Sequence, residues 1–201
     1  MDDQQQMPPA APQSPPPVSG WQAPQPAPVP GAAGYMYADV PNRVIALIID
    51  AIVLVIIGFA IGLILGIAGL TTGGFGSNAG LELGVLVNAV VGILVNAAYF
   101  IYSWTATRAT LGMRALGMQV GNAFDGKTLT MEQAVRRAIA LWGPSTVAQF
   151  FIGVSGIGSV LGLLAFLWVL YLLYTTATSP TKQGFHDKFA NSVVVKAGRM
   201  V

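Results

Sequence analysis

The chain has 201 residues, of which 54% are hydrophobic and only 9% are charged, and its formal net charge is +2. This balance excludes an ordinary soluble globular protein, and so small a charge gives no reason to expect nucleic-acid binding. The chain contains no cysteine, which excludes a disulfide framework, a thiolate nucleophile and a cysteine-ligated metal site.

The first 37 residues are rich in proline, glutamine and alanine, and ten of the thirteen prolines precede residue 35. A segment of this composition cannot bury a core and favours extended polyproline II conformations. It predicts a disordered cytoplasmic tail over residues 1–37, followed by a membrane domain over residues 38–196. Such a tail either binds a protein partner that has an SH3-like or WW-like groove or serves as a solvated spacer.

Two long apolar segments follow the tail, over about residues 44–70 and 81–104. Each is long enough to cross the hydrocarbon core of a bilayer, for which a helix needs roughly 17–25 residues. In the first segment Gly58, Gly62 and Gly66 recur every four residues, a pattern that permits close helix packing within the bundle or between copies in a homo-oligomer. The second segment carries the polar residues Asn88 and Asn96.

The next part of the chain is polar and basic, and it ends at a predicted helix start, where Thr130 and Gln133 have the spacing of a capping box. Two further apolar segments cover about residues 134–153 and 157–177. Trp142, Pro144 and Gln149 interrupt the former, which therefore fits either a full span or a re-entrant segment. The β-branched run NSVVV near the C-terminus predicts a short strand.

The positions of the lysines and arginines discriminate between these topologies. All of them lie before the first apolar segment, between the second and third, or after the last: Arg43; Arg108, Arg114, Lys127, Arg136 and Arg137; Lys182, Lys188, Lys196 and Arg199. Because cytoplasmic loops carry the excess of positive charge, four spans with both termini in the cytoplasm satisfy every one of them. We therefore expect an all-α integral membrane protein, a four-transmembrane-helix bundle that crosses the cell membrane (inner or plasma membrane).

One carboxylate lies inside the first predicted span. Asp50 follows Arg43 by seven residues, which places it ~10 Å further along a helix on nearly the same face. An ionised aspartate inside a membrane helix costs about 2.5–3.5 kcal/mol, so Asp50 needs a cationic partner, a wet cavity or a proton.

Two interpretations of Asp50 follow. In the functional one, Asp50 alternately binds a cation and a proton, with the side-chain oxygens of Asn88 and Asn96 as further ligands. In the structural one, Asp50 pairs with Arg136, Arg137 or another cation, and the pair fixes how the spans pack.

The sequence contains no signature of an enzyme, a cofactor or a metal site. It has no phosphate-binding loop, zinc signature or nucleophile elbow. His186 and Asp187 are adjacent, but no cysteine or second metal ligand accompanies them, so a structural or surface role is the simpler interpretation. We therefore expect no catalytic activity, no metal and no cofactor.

Three stretches of the chain, taken in order, resemble the RDD family of small membrane proteins. Arg43 with Asp50 is similar to the family's opening arginine and first aspartate. The stretch TRATLGMRALGMQV, followed by Arg136 and Arg137, resembles the family's central loop. GFHDKFANSVVV resembles the closing motif, in which Asp187 corresponds to the second aspartate.

The resemblance covers about residues 38–196 and departs from the family in two places. Met113 stands where relatives often have a lysine, and Ser192 stands where a threonine is usual. The resemblance implies a helical protein of the inner membrane, and transport, including sodium–proton antiport, has been proposed for relatives.

We therefore predict a small ion or solute transporter that uses Asp50 as its ion- or proton-binding carboxylate. A charged cluster at its cytoplasmic mouth would contain Arg43, Arg136, Arg137 and Asp187. The alternative is a non-transporting membrane adaptor that recruits protein partners through its tail and its cytoplasmic loop. Both hypotheses place the protein in the lipid bilayer.

Overall fold

The computed structural model describes residues 35–71, 76–151 and 156–196. Helices make up most of this part of the chain, and a small sheet lies where several of them begin or end. In chain order the elements are β1 (Met36–Tyr37), α1 (Val40–Thr71), α2 (Asn78–Ala106), α3 (Leu111–Ala115), β2 (Met118–Asn122), α4 (Met131–Phe150), α5 (Ile157–Thr178), α6 (Phe185–Phe189) and β3 (Ser192–Lys196). Residues 1–34 of the predicted tail lie outside the described residues.

Three helices in the described chain are long and apolar enough to cross a membrane: Val40–Gly69 of α1, Glu82–Ala106 of α2, and α5 over Ile157–Thr178. Their positions match three of the four predicted spans. Large apolar side chains cover their outer surfaces; Phe59 on α1 is 68% exposed and Val85 on α2 is 72% exposed. An exposed apolar surface of this extent marks a membrane or interaction surface rather than a water-facing one.

Helix α4 corresponds to the third predicted span but is less apolar than the other three. It begins at the predicted capping box, which is confirmed: the Thr130 side chain and the Gln133 side chain each bond the other's backbone N–H. The helix is 20 residues long and contains Pro144, and its length is about 30 Å. It packs against α2 and α5. Because α4 is not among the three apolar candidates within the described residues, the fourth span stays a prediction.

The expectation of an all-α fold is incomplete, because three strands form an antiparallel sheet in the order β1-β3-β2. Strand β3 contains the predicted valine run, since β-branched side chains suit a pleated, half-buried surface. Strand β1, Met36–Tyr37, belongs to the segment that the composition assigned to a disordered tail, and it pairs with Val195 and Lys196. The paired strand extends the ordered domain into the end of that segment.

The core of the described chain lies where this sheet meets the helices. Met118, Val120 and Val194 from the sheet are almost fully buried, and so are Phe100 and Trp104 near the end of α2. The sheet thereby fixes the segments that precede α1, follow α2 and follow α5 against one another. Of the predicted charged cluster, Asp187 lies after α5, Arg43 lies in the first turn of α1, and Arg136 and Arg137 lie in the first two turns of α4.

Candidate binding site between Asp50 and a buried ion cluster

Asp50 is buried, with 2% of its surface exposed, and neutral donors surround its carboxylate. The Tyr99 hydroxyl and the backbone N–H of Gly112 donate to Oδ1 at 2.6 and 2.7 Å. The Thr110 hydroxyl donates to Oδ2 at 2.6 Å. Hydrogen bonds to a charged group contribute about 1.5–3 kcal/mol each, so these three donors together can offset the cost of placing the carboxylate in the helix.

The chain brings these donors to Asp50 through a short helix pressed against α1. Thr110 is the N-cap of α3, and its side chain also accepts from the backbone N–H of Met113. At Gly112 a Cβ atom would lie 2.0 Å from the carbonyl oxygen of Ala46, so only glycine permits this approach. The Asp50 carboxylate therefore lies at the N-terminus of α3, where backbone N–H groups point outward and a negative charge is favourable.

Asp187 lies at the centre of a second group of charges, which we call the ion cluster (Arg43, Arg137 and Asp187). The Arg43 Nη1 atom lies 2.5 Å from Asp187 Oδ2, and Arg137 Nη1 binds Asp187 Oδ1. Arg137 Nη1 also donates to the Ser192 hydroxyl at 2.5 Å. Asp187 is 0% exposed and Arg137 is 4% exposed, so this is a buried arrangement rather than a surface ion pair.

Arg43 extends the ion cluster to the backbone of two other segments. Its Nε atom donates to the carbonyl oxygen of Ala38 at 3.0 Å, and its Nη2 atom donates to that of Lys182 at 2.7 Å. The guanidinium group thereby connects the start of α1 to the segment between α5 and α6. Such a fixed geometry uses the planar fork of arginine, which lysine cannot reproduce.

Two guanidinium groups facing one carboxylate leave the ion cluster with one positive charge in excess. Burial alone would raise the pKa of Asp187, but Arg137 and Arg43 outweigh burial and hold that pKa well below its usual range. Burial lowers the pKa of the neighbouring His186 to about 4, with the arginines acting in the same direction and Asp187 against it. His186 is therefore neutral at pH 7.

The first cavity, of about 150 Å³, lies between Asp50 and the ion cluster. Its walls come mainly from α1, α2, α4 and α5 and are mostly apolar. The titratable and hydroxyl side chains on its walls are Arg43, Asp50, Thr110, Arg137, Thr176 and His186. A cavity of this size holds a molecule about as large as benzene.

A second cavity, of about 790 Å³, lies between α2 and α4. Asn88, Asn96 and Gln149 line it, whereas Asp50 lines only the first cavity. The structure thus separates the two asparagines from Asp50, with which they were expected to bind a cation. Trp142 lines both cavities.

The structure also separates the two adjacent arginines of the predicted charged cluster. Arg137 joins Asp187, but Arg136 pairs with Glu132 one turn earlier on the exposed side of α4. Neither arginine is therefore the partner of Asp50 in the described part of the chain.

The glycines of α1 do not mediate close packing inside the described chain. A Cβ atom added at Gly58 or Gly66 would meet nothing within 4 Å, and one at Gly62 would meet only the Asn88 side chain, at 4.0 Å. Packing between copies in a homo-oligomer stays a prediction for this face.

Sequence reasoning did not single out Thr110 and Gly112 as contacts of Asp50. The signal available was the order of residues Thr110, Leu111 and Gly112, because a threonine before a short helical segment is a common N-cap. That pattern predicts the helix start, but it does not reveal which distant carboxylate the helix start binds.

In a comparison with known families, the model of the RDD family matches residues 37–191. Arg43, Asp50, Arg137 and Asp187 all lie within the matched range. No curated protein and no solved structure matches the chain. Since the family model covers well over half of the sequence, the chain belongs to the RDD family, and this membership and its apolar helices together indicate a membrane protein.

Proposed function

We propose that the chain is a multi-pass membrane protein that moves a small solute through the two cavities that share Trp142 as a lining residue. The observation that supports this proposal is that the Trp142 side chain lines both cavities. The first cavity lies beside the ion cluster, and the second follows α2 and α4 away from it. Together they supply a route lined by apolar and polar side chains, along helices whose outer surfaces are apolar.

The donors around Asp50 favour a solute over a metal cation as the cargo. A hard cation requires oxygen ligands, but the three groups that contact Asp50 donate hydrogen bonds to it. The asparagine oxygens predicted as further ligands lie in the other cavity. In this proposal Asp50 forms part of the cavity wall and holds α3 against α1.

The sheet supports a topology of four spans, with both termini in the cytoplasm of the cell. Strands β2 and β3 pair with each other, so they must lie on the same side of the membrane. The helices between these strands are α4, α5 and the five-residue α6, of which α5 is apolar enough to span and α6 is too short. Strands on the same side need an even number of crossings between them, and this supports α4 as the second crossing.

Swelling of proteoliposomes tests the transport proposal without knowledge of the solute. Vesicles are placed in iso-osmotic urea, glycerol, alanine or sodium propanesulfonate, and the decrease in light scattering measures swelling as the solute enters. Wild-type vesicles should swell faster than empty ones in at least one solute, and Trp142→Ala should change that rate. Phe124→Ala, at an exposed loop position, is the control that should match wild type.

Swelling at the empty-vesicle rate in every solute would overturn the proposal. A second arm uses an internal pH dye and sodium or potassium gradients. Proton movement that depends on wild-type protein and is absent in Asp50→Asn would instead favour cation–proton exchange at Asp50.

A second candidate function is that of an adaptor, and the proline-rich composition of residues 1–34 favours it. Full-length protein and a variant lacking residues 1–34 would be purified from native membranes with their bound proteins. If the tail recruits a partner, the truncated protein should recover less of it. Equal recovery would count against this function.

A further inference from the structure

Four buried side-chain nitrogens in the described chain have no hydrogen-bond partner: Trp104 Nε1, Trp142 Nε1, Arg137 Nε and His186 Nδ1. All four side chains line the first cavity. Buried polar groups are nearly always paired, and leaving one unpaired costs about 1–3 kcal/mol. Four such atoms around one cavity indicate that the cavity has an occupant with complementary polar atoms.

The chemistry of these nitrogens defines the polar end of that occupant. An indole nitrogen and the Nε atom of arginine can only donate, so Trp104, Trp142 and Arg137 require acceptors. His186 Nε2 lies 3.5 Å from a carboxylate oxygen of Asp187, which favours a proton on Nε2 and leaves Nδ1 as an acceptor for an O–H group or a water. The occupant therefore presents at least two acceptor oxygens.

The charges around the cavity favour an anion. The ion cluster has one positive charge in excess, and Arg137 keeps an unused donor on its guanidinium group. The negative charge of Asp50 on the opposite wall already receives three hydrogen bonds. The unsatisfied charge of the cavity is thus positive.

The size and the remaining walls define the other end of the occupant. The volume of about 150 Å³ accommodates a body about the size of benzene. Leu47, Phe100, Met113 and Leu172 are among its apolar lining residues. A short aliphatic or aromatic group fits this part of the cavity better than a second charged group.

We propose that the first cavity binds a small organic monoanion, a carboxylate or sulfonate with a short apolar body. Its acidic oxygens accept from Arg137 Nε and from the indole N–H groups of Trp104 and Trp142. The role of this anion as the transported solute rests on the function proposed above, whereas its binding does not.

Binding of benzoate to the detergent-solubilised full chain, measured by isothermal titration calorimetry, tests the inference. Benzylamine has a similar body with the opposite charge and should bind at least tenfold more weakly. Trp104→Phe and Trp142→Phe each keep a ring and remove one donor, so each should weaken benzoate binding about tenfold. Trp168→Phe is the matched control, because Trp168 Nε1 already donates to the carbonyl oxygen of Ala140 at 2.8 Å.

Equal affinity for benzoate and benzylamine, no benzoate binding by wild type, or unchanged affinity in both cavity variants would overturn the inference. Thermal unfolding keeps the test decisive if a variant is poorly folded, since benzoate should raise the melting temperature of wild type more than benzylamine does. Binding without vesicle swelling would leave the anion site standing and refute transport. Swelling in urea or glycerol alone, without any benzoate binding, would leave transport standing and refute the anion site.

Discussion

The Asp187 carboxylate is enclosed by two guanidinium groups and has no exposed surface. Asp187→Asn keeps the shape of the side chain but removes its charge, so Arg43 and Arg137 lose their shared counterion. Removing one partner of a buried ion pair costs about 3–5 kcal/mol. Because Arg43 keeps two carbonyl acceptors and Arg137 keeps the Ser192 hydroxyl, we expect about 3 kcal/mol, the lower end of that range.

Thermal unfolding of the solubilised chain, followed by circular dichroism, measures this loss. For a chain of this length, 1 kcal/mol corresponds to about 2–4 °C, so the melting temperature should fall by about 6–12 °C. Glu132→Gln breaks the Arg136 pair, in which both side chains are exposed (70% and 49%), and is the control. It should cost less than about 0.5 kcal/mol. Equal shifts in the two variants would refute the reasoning.

A double-mutant cycle distinguishes loss of the pair from loss of shape. Arg137→Met should destabilise the Asp187→Asn variant less than it destabilises wild type, because it removes a charge that no longer has its counterion. Additive effects would show that Arg137 and Asp187 are not coupled.

Three further predictions concern the fold, its pH dependence and its topology. Gly112→Ala should lower stability by about 2 kcal/mol or more, because its Cβ would lie 2.0 Å from a backbone oxygen of α1, whereas Gly58→Ala, with nothing within 4 Å, should be neutral in the same unfolding assay. Burial lowers the pKa of His186 to about 4, so as pH falls the unfolded chain takes up this proton first. The free energy of unfolding should therefore be highest above about pH 6.5 and fall by roughly 3 kcal/mol between pH 6.5 and pH 4. His186→Gln should remove most of this dependence on pH. The chain has no cysteine, so Asp125→Cys and Ile157→Cys, at the exposed start of α5, can be labelled singly with an impermeant maleimide. In intact cells only Ile157→Cys should react, and protection of both would exclude a spanning α4.

The apolar helices and the central strand could be predicted from the sequence because each depends on local composition. A run of apolar residues long enough to cross a bilayer has few alternatives to a helix, which is why α1, α2 and α5 lie where the sequence placed them. The valines of β3 and the capping box at Thr130 are likewise local signals.

The surroundings of Asp50 could not be predicted in this way. Its donors Tyr99, Thr110 and Gly112 are separated from it by 49, 60 and 62 residues, so their contact depends on how the helices pack. The two arginines at the start of α4 show the same limit. Successive residues of a helix point about 100° apart, and only the packing of α4 decides that Arg137, and not Arg136, faces Asp187.

The strand order β1-β3-β2 has a consequence for how the chain matures during synthesis. β3 is the last of the described elements to leave the ribosome, yet it is the middle strand, and β1 and β2 pair with it and not with each other. The two earlier strands must wait, unpaired, until every helix has been inserted. In the four-span topology proposed above, a chain with one helix inserted in the wrong direction would deliver β3 to the wrong side of the bilayer, so completion of the sheet would select correctly inserted molecules.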